Sequence, residues 1–277
     1  MSNISATGGS FNIGEVIATG VRTLNQGWIK LIGLTILPWV LAYALAFAGV
    51  FAAIGFSIAA PGRVAVPGPG AFFLLFALFV LIGIAYFVCQ AALVFGVVEQ
   101  LRGRSYSFGR AISVGTSRIG RMIGIGLIVI LAYVGIVVAL GLLGAILPRF
   151  LTLILAGAAF LIGAPMVICA FFVLFPVASV EENGVFGSFG RSRFLTRGYR
   201  WPILGLLLVL VVAMAALNLL VAYIVQAALP ILVGALVNFV IGVWLTTLFS
   251  VIIAVAYFRL RYLKEGINLD EIANVFD

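Results

Sequence analysis

The chain has 277 residues, of which 65% are hydrophobic and only 9% charged, against about 45–50% and about 25% in an ordinary soluble domain. That balance excludes a fold whose main solvent is water. With a net charge of +8 and no histidine, the chain also lacks the commonest general base and the commonest transition-metal ligand.

In chain order, residues 1–30 come first. The first 27 are polar, glycine-containing and amphipathic, with no cationic start followed by an apolar stretch and cleavage site, so the first span is expected to direct insertion itself. Asn12 and Glu15 are spaced as a helix-capping pair, and Ile13, Val16, Ile17, Val21 and Leu24 mark one apolar helical face. Trp28 stands just before the first span, where an indole fits the headgroup zone as an interfacial anchor.

Three charge-poor blocks follow, 31–98, 122–180 and 201–258, interrupted only by Arg63 and Arg149. A bilayer core about 30 Å thick needs roughly 20 apolar residues per helical span, so each block accommodates two spans and a short turn. This predicts an all-α integral membrane fold of six transmembrane helices in three hairpins. The expected turns are Pro61 through Gly70, Leu147-Pro148-Arg149, and Gln226 to Pro230. Cys89 and Cys169 lie within spans and read as small buried hydrophobes, with no disulfide expected. Pro38, Pro165, Pro176 and Pro202 are positions to kink or start helices. Gln90, Asn218, Gln226 and Asn238 read as hydrogen-bonding joints between helices, and Gly120 and Gly124 as a close-packing pair.

With two spans per block, 14 of the 16 Lys and Arg residues fall on the side of both termini and only Arg63 and Arg149 on the other. The positive-inside rule then places both termini in the cytoplasm of a bacterial inner membrane. The segments entering the hairpins resemble one another. Ser107-Phe108-Gly109-Arg110 recurs as Ser188-Phe189-Gly190-Arg191, with Ser10-Phe11 as a degenerate third copy. Gly103, Gly184 and Gly266 each precede by four positions a capping type of residue, Ser107, Ser188 and Asp270. The expected unit is a cytoplasmic interfacial amphipathic helix followed by a hairpin, repeated in parallel at about 10–98, 107–180 and 188–258 within a single membrane domain, 1–277. A cytoplasmic tail, 259–277, completes it.

In the second unit Phe108, Ile112, Gly115, Ile119 and Met122 form an apolar stripe opposite Arg110, Ser113, Ser117 and Arg121. In the third, Arg193, Arg197 and Arg200 share a helical face by their spacing of four and three. Arg191, Arg193, Arg197 and Arg200, with Arg110, Arg118 and Arg121, are the expected headgroup-binding residues, each basic group near an anionic surface contributing about 1 kcal/mol. The topology rule alone also demands a basic rim. Trp201 is a second interfacial anchor, before the fifth span. Glu99, Glu181 and Glu182 read as solvated loop carboxylates rather than bases. With no phosphate-binding glycine loop, paired-cysteine pattern or nucleophile elbow, no catalytic residue, metal or cofactor is expected. The spans hold no ionisable side chain beyond the turn arginines, which argues against a proton-coupled pump.

Two stretches carry a family resemblance: Glu181-Glu182-Asn183-Gly184-Val185 with Arg191-Ser192, Leu195, Arg197-Gly198 and Trp201, and the ending Tyr257-Phe258-Arg259-Leu260-Arg261 with Lys264-Glu265-Gly266. Both are similar to the membrane domain of glycerophosphoryl diester phosphodiesterases and related six-span bacterial proteins. In that family a separate barrel hydrolyses glycerophosphodiesters with histidine and metal-binding carboxylates. This sequence contains no such barrel, so the activity is not carried over. The resemblance implies a membrane module that handles or senses lipids. The expected function is a non-enzymatic inner-membrane protein that binds or handles lipid or a hydrophobic solute through its basic cytoplasmic rim, with a structural or assembly subunit as the alternative and a channel or permease as a third; the expected partners are anionic membrane lipids or a membrane protein, and no nucleic acid.

Overall fold

The structure is a computed structural model that describes residues 11–59, 69–228 and 230–266. The expected turn around Arg63 and the tail from residue 267, with Asp270, lie outside them. All regular structure among the described residues is helical. Six stretches are long and apolar enough to cross a membrane: Ile13–Gly49, Phe73–Leu101, Ile119–Ile146, Arg149–Val180, Arg200–Val225 and Leu232–Glu265. The chain is a multi-pass membrane protein.

Helix α1 (Ile13–Ala59) is two helices joined at Gly27, whose φ of −132° and ψ of 26° are not helical. A Cβ there would lie 1.3 Å from Nε2 of Gln100, so the end of α2 (Pro69–Leu101) packs where only a glycine leaves room. The first turn of α1 is capped as its spacing predicts, with Asn12 Oδ1 accepting from the Glu15 amide at 3.3 Å. Helix α3 (Phe108–Ser117) starts at Ser107, whose hydroxyl accepts from the Arg110 amide at 3.2 Å, and α4 (Ile119–Ile146) follows after Arg118 alone.

The fourth span is broken twice, into α5 (Arg149–Ala158), a π-helical turn (Ala159–Gly163), α6 (Ala164–Ala170) and α7 (Leu174–Val180). Proline explains both breaks. It has no N–H to donate, and its ring clashes with the carbonyl four residues back. Four before Pro165 is Leu161, within the π-turn; four before Pro176 is Phe172, within the gap between α6 and α7. The Ala170 carbonyl at that gap accepts from the hydroxyls of Ser192 and Thr196, each at 3.1 Å, on α8 (Gly184–Thr196). Pro202 sits instead in the first turn of α9 (Arg200–Ala228), where a missing amide costs nothing. Pro38 stays inside α1. Helix α10 (Ile231–Glu265) ends at Gly266, in the left-handed region at φ +64°.

Helix α1 packs along α2 and α10, α3 lies on α2, and α9 touches α10, α6 and α1. Buried side chains crowd toward one end, among them Val16, Leu24 and Leu31, Leu93 to Val98, Val173 to Val180, Leu195, Ile203, and Val251 to Leu260. Away from that end the spans present large apolar groups outward: Phe51, Phe73, Leu131, Ile146, Phe160, Leu161 and Leu219 are all exposed. Lipid tails solvate such groups as well as protein does.

Several sequence readings are corrected here. In the first short helix Val16 and Leu24 are buried in the protein core and Gly20 lies against Ile252 of α10; the protein itself takes up most of that apolar face, with Ile13 and Ile17 partly buried against the core and Val21 left exposed. In α3 the buried residues are Ala111 and Gly115, while Phe108 is exposed. Ser188 is no cap: α8 begins earlier, at Gly184, and the Ser188 hydroxyl donates to the Gly184 carbonyl at 2.7 Å. Of the span amides, Gln90 does join helices, donating to Ser250 Oγ at 3.1 Å, whereas Asn218 and Asn238 donate to carbonyls of their own helices. The Gln226 side chain lies outside the described residues. Gly124 packs on Val185, but its expected partner Gly120 faces open space. Cys89 and Cys169 are free and buried.

Candidate functional site

The charged segments, far apart in sequence, meet at one end of the molecule. Lys30 Nζ donates to the Tyr106 carbonyl at 2.9 Å, and Arg118 pairs with Glu182 at 3.1 Å. Arg191 pairs with Glu265, and Arg259 lies 3.4 Å from Glu15. The first charged segment is thus joined to the second, the second to the third, the third to the fourth and the fourth back to the first.

Glu181, at the C-terminal end of α7, is the centre of the tightest part. It is only 7% exposed, and a buried carboxylate must be paired to be tolerated. It accepts from Arg191 Nε at 2.6 Å, Asn183 Nδ2 at 2.8 Å and the Tyr257 hydroxyl at 2.9 Å. Arg261 donates to the Tyr257 oxygen at 3.2 Å and to Glu265 at 3.1 Å. Burial works to lower the pKa of Arg191, but its hydrogen bonds to Glu265 and Glu181 outweigh that and raise it. The cluster ties α7, α8 and α10 together. The sequence reading of Glu99 and Glu181 as solvated is wrong, since both are buried; Glu182, with 73% of its side chain exposed, fits it.

The seven arginines singled out from sequence fall into different environments. Arg191 belongs to the Glu181 cluster. Arg118 holds Glu182, and Arg121 donates to the carbonyls of Ala178 and Glu181. Arg193 and Arg197 are exposed and have no ion-pair partner among the described residues. Arg200 is half-buried, its Nε without a hydrogen-bond partner. Arg110 is exposed, with its guanidinium 5.9 Å from the Phe95 ring centroid. The expected shared face of Arg193, Arg197 and Arg200 is not a helix face: α8 stops at Thr196, Arg197 is extended (φ −63°, ψ 123°), and Gly198 is left-handed at φ +92°. Trp28 and Trp201 are exposed at 53% and 83%.

All five described acidic residues, Glu15, Glu99, Glu181, Glu182 and Glu265, lie within ion-pair distance of an arginine. That leaves Arg22, Lys30, Arg104, Arg121, Arg193, Arg197, Arg200 and Lys264 at that end with no carboxylate partner among the described residues. Among the described residues, basic side chains therefore outnumber acidic ones at the charged end, and no group of three His, Cys, Asp or Glu side chains able to hold a metal occurs among them.

Sequence reasoning missed Tyr257, Arg261 and Glu265 as one cluster. Their spacing of four was a readable signal; the partner Glu181, 76 residues from Tyr257, was not. No family model matches the chain, and no curated protein or solved structure matches it either.

Proposed function

We propose that this chain is a non-enzymatic module of a bacterial inner membrane that gathers anionic lipid at its charged end, with both termini cytoplasmic. The observation that carries the reading is the charge imbalance of that end. Its described acidic side chains are all held in internal pairs, while Arg193 and Arg197 stand exposed with no ion-pair partner among the described residues. Cations so placed beside six apolar spans meet phosphate before any other anion.

Three hairpins in parallel repeat form the proposed architecture, and two observations support it. The ion pairs joining the charged segments require an even number of crossings between them. In addition, Gly103 and Gly184 are both left-handed, at φ +72° and +69°, and the spans that follow begin at Ile119 and Arg200, the same distance on from each. The likeness of residues 181–201 and 257–266 to the phosphodiesterase-associated membrane family agrees with a lipid-handling role, and no hydrolysis is proposed.

Native mass spectrometry of the chain in native nanodiscs tests the reading, comparing wild type with Arg193, Arg197 and Arg200 all changed to Gln. Anionic lipid retained by wild type and depleted in the variant is the expected result. A stoichiometric protein partner with no selective lipid would replace it with an assembly role.

A further inference from the structure

The Gly27 kink and the turn after α2 enclose an open groove of about 440 Å³ at the charged end. Its walls include Lys30 and Arg104, the amides Asn25, Gln26 and Gln100, and Ser105. No acidic side chain among the described residues lines it. Lys30 is held in place by its bond to the Tyr106 carbonyl and by the Tyr106 ring, 5.0 Å from Nζ to the centroid. Two of its three N–H donors are left over. Arg104 makes no ion pair among the described residues. The side-chain oxygen Oε1 of Gln100 is buried and has no hydrogen-bond partner among the described residues, while its main-chain carbonyl accepts from the Gly103 amide at 2.9 Å.

The sequence accounts for the groove. Because residue 27 carries no side chain, α1 bends and Gln100 closes against it. The left-handed Gly103 then turns the chain so that Arg104 and Ser105 come back over the kink. Just past the groove, Ile29, Ile36 and Val40 follow one another down one face of α1 by their spacing, exposed at 69%, 37% and 46%. The polar groove thus opens onto an apolar strip.

We propose that this groove binds a phosphate-bearing headgroup, with the phosphate between Lys30 and Arg104 and the rest of the headgroup against the polar side chains of Asn25, Gln26 and Ser105. Charge-assisted bonds to phosphate are the strong kind, and the strip along α1 accepts an acyl chain. The proposal deepens the lipid reading above and rests on it for the source of the phosphate, yet it shares no residue with Arg193, Arg197 and Arg200.

That separation makes the two distinguishable. The full chain is purified as wild type, as Lys30→Gln/Arg104→Gln, and as the Arg193, Arg197 and Arg200 to Gln variant. Each is placed in nanodiscs of 1:1 phosphatidylglycerol and phosphatidylcholine, and the phosphatidylglycerol that survives stepwise delipidation is counted by native mass spectrometry. Thermal melts verify that the variants are folded. The expected result is that the rim variant sheds its loosely held phosphatidylglycerol in the early delipidation steps yet keeps, like wild type, one tightly retained molecule to the last step, with at least tenfold lower last-step retention in Lys30→Gln/Arg104→Gln.

In a parallel arm, sodium phosphate is titrated into the detergent-solubilised proteins. Phosphate binding that the groove variant loses, without any retained lipid, assigns the groove to a soluble phosphate compound. Lipid retention and phosphate binding both unchanged in the groove variant overturn the proposal. If only the rim variant loses lipid, the groove proposal falls and the rim reading stands.

Discussion

The charged end and the far part of the third and fourth spans follow opposite rules. At the charged end, Glu15, Glu181, Glu182, Glu265 and the Ala170 carbonyl are met by partners distant in sequence, and many of the side chains around them are buried. From Ile130 to Ile168 almost every side chain is exposed, although the sequence there is more apolar. In water the apolar stretch would be the core. In a bilayer apolar burial brings little, so the helices are held together where polar groups need one another.

The widest separation between the two regions is expected at Glu181. Glu181→Ala strips a buried acceptor from Arg191, Tyr257 and Asn183, and breaking a buried pair by removing one partner costs about 3–5 kcal/mol. Unfolding in mixed micelles should show that loss, and a change under about 1 kcal/mol would mean the cluster is solvated and the contrast false.

Glycines give a second comparison. A Cβ at Gly115 would come within 2.4 Å of the Val88 carbonyl oxygen, whereas nothing lies within 4 Å of one at Gly135. Gly115→Ala is expected to destabilise by about 1–3 kcal/mol through overpacking. Gly135→Ala should be neutral or stabilising by up to about 1 kcal/mol, as an exposed helical glycine is. Equal effects in the same unfolding assay would erase the distinction.

Thr196→Val keeps the shape and removes one of the two hydroxyls at the Ala170 carbonyl. The expected loss is about 0.5–1.5 kcal/mol, because Ser192 still donates; Ser192→Ala combined with it should cost more than the two single losses added. The smallest effect belongs to Glu182→Ala. Its carboxylate is 73% exposed, and surface pairs contribute about 0–1 kcal/mol, so its melt should nearly overlay wild type while that of Glu181→Ala does not.

How much of this was legible depends on range. The six spans were readable because the bilayer dictates length and charge content, and the Asn12 and Ser107 caps because each bonds within three residues. Helix faces were misjudged. Val16 and Leu24 are spaced as a membrane-surface helix would space them, and only tertiary contact with α10 turns them inward. The arginine face failed for a local reason: Gly198 takes a left-handed φ of +92° and ends α8 before Arg197. Glu181 and Glu182 are adjacent and chemically alike, and no sequence rule separates the buried one from the exposed one.

The broken fourth span has a consequence for assembly in time. Ser192 and Thr196 lie 22 and 26 residues beyond Ala170, so they emerge from a ribosome shortly after the gap they serve. Without them the Ala170 carbonyl has no side-chain donor among the described residues. Thereafter α8 is fastened to the fourth span before any residue of the fifth, which begins at Arg200, has to cross. The hydroxyls that serve the break thus hold the segment between the fourth and fifth spans against the end of the fourth.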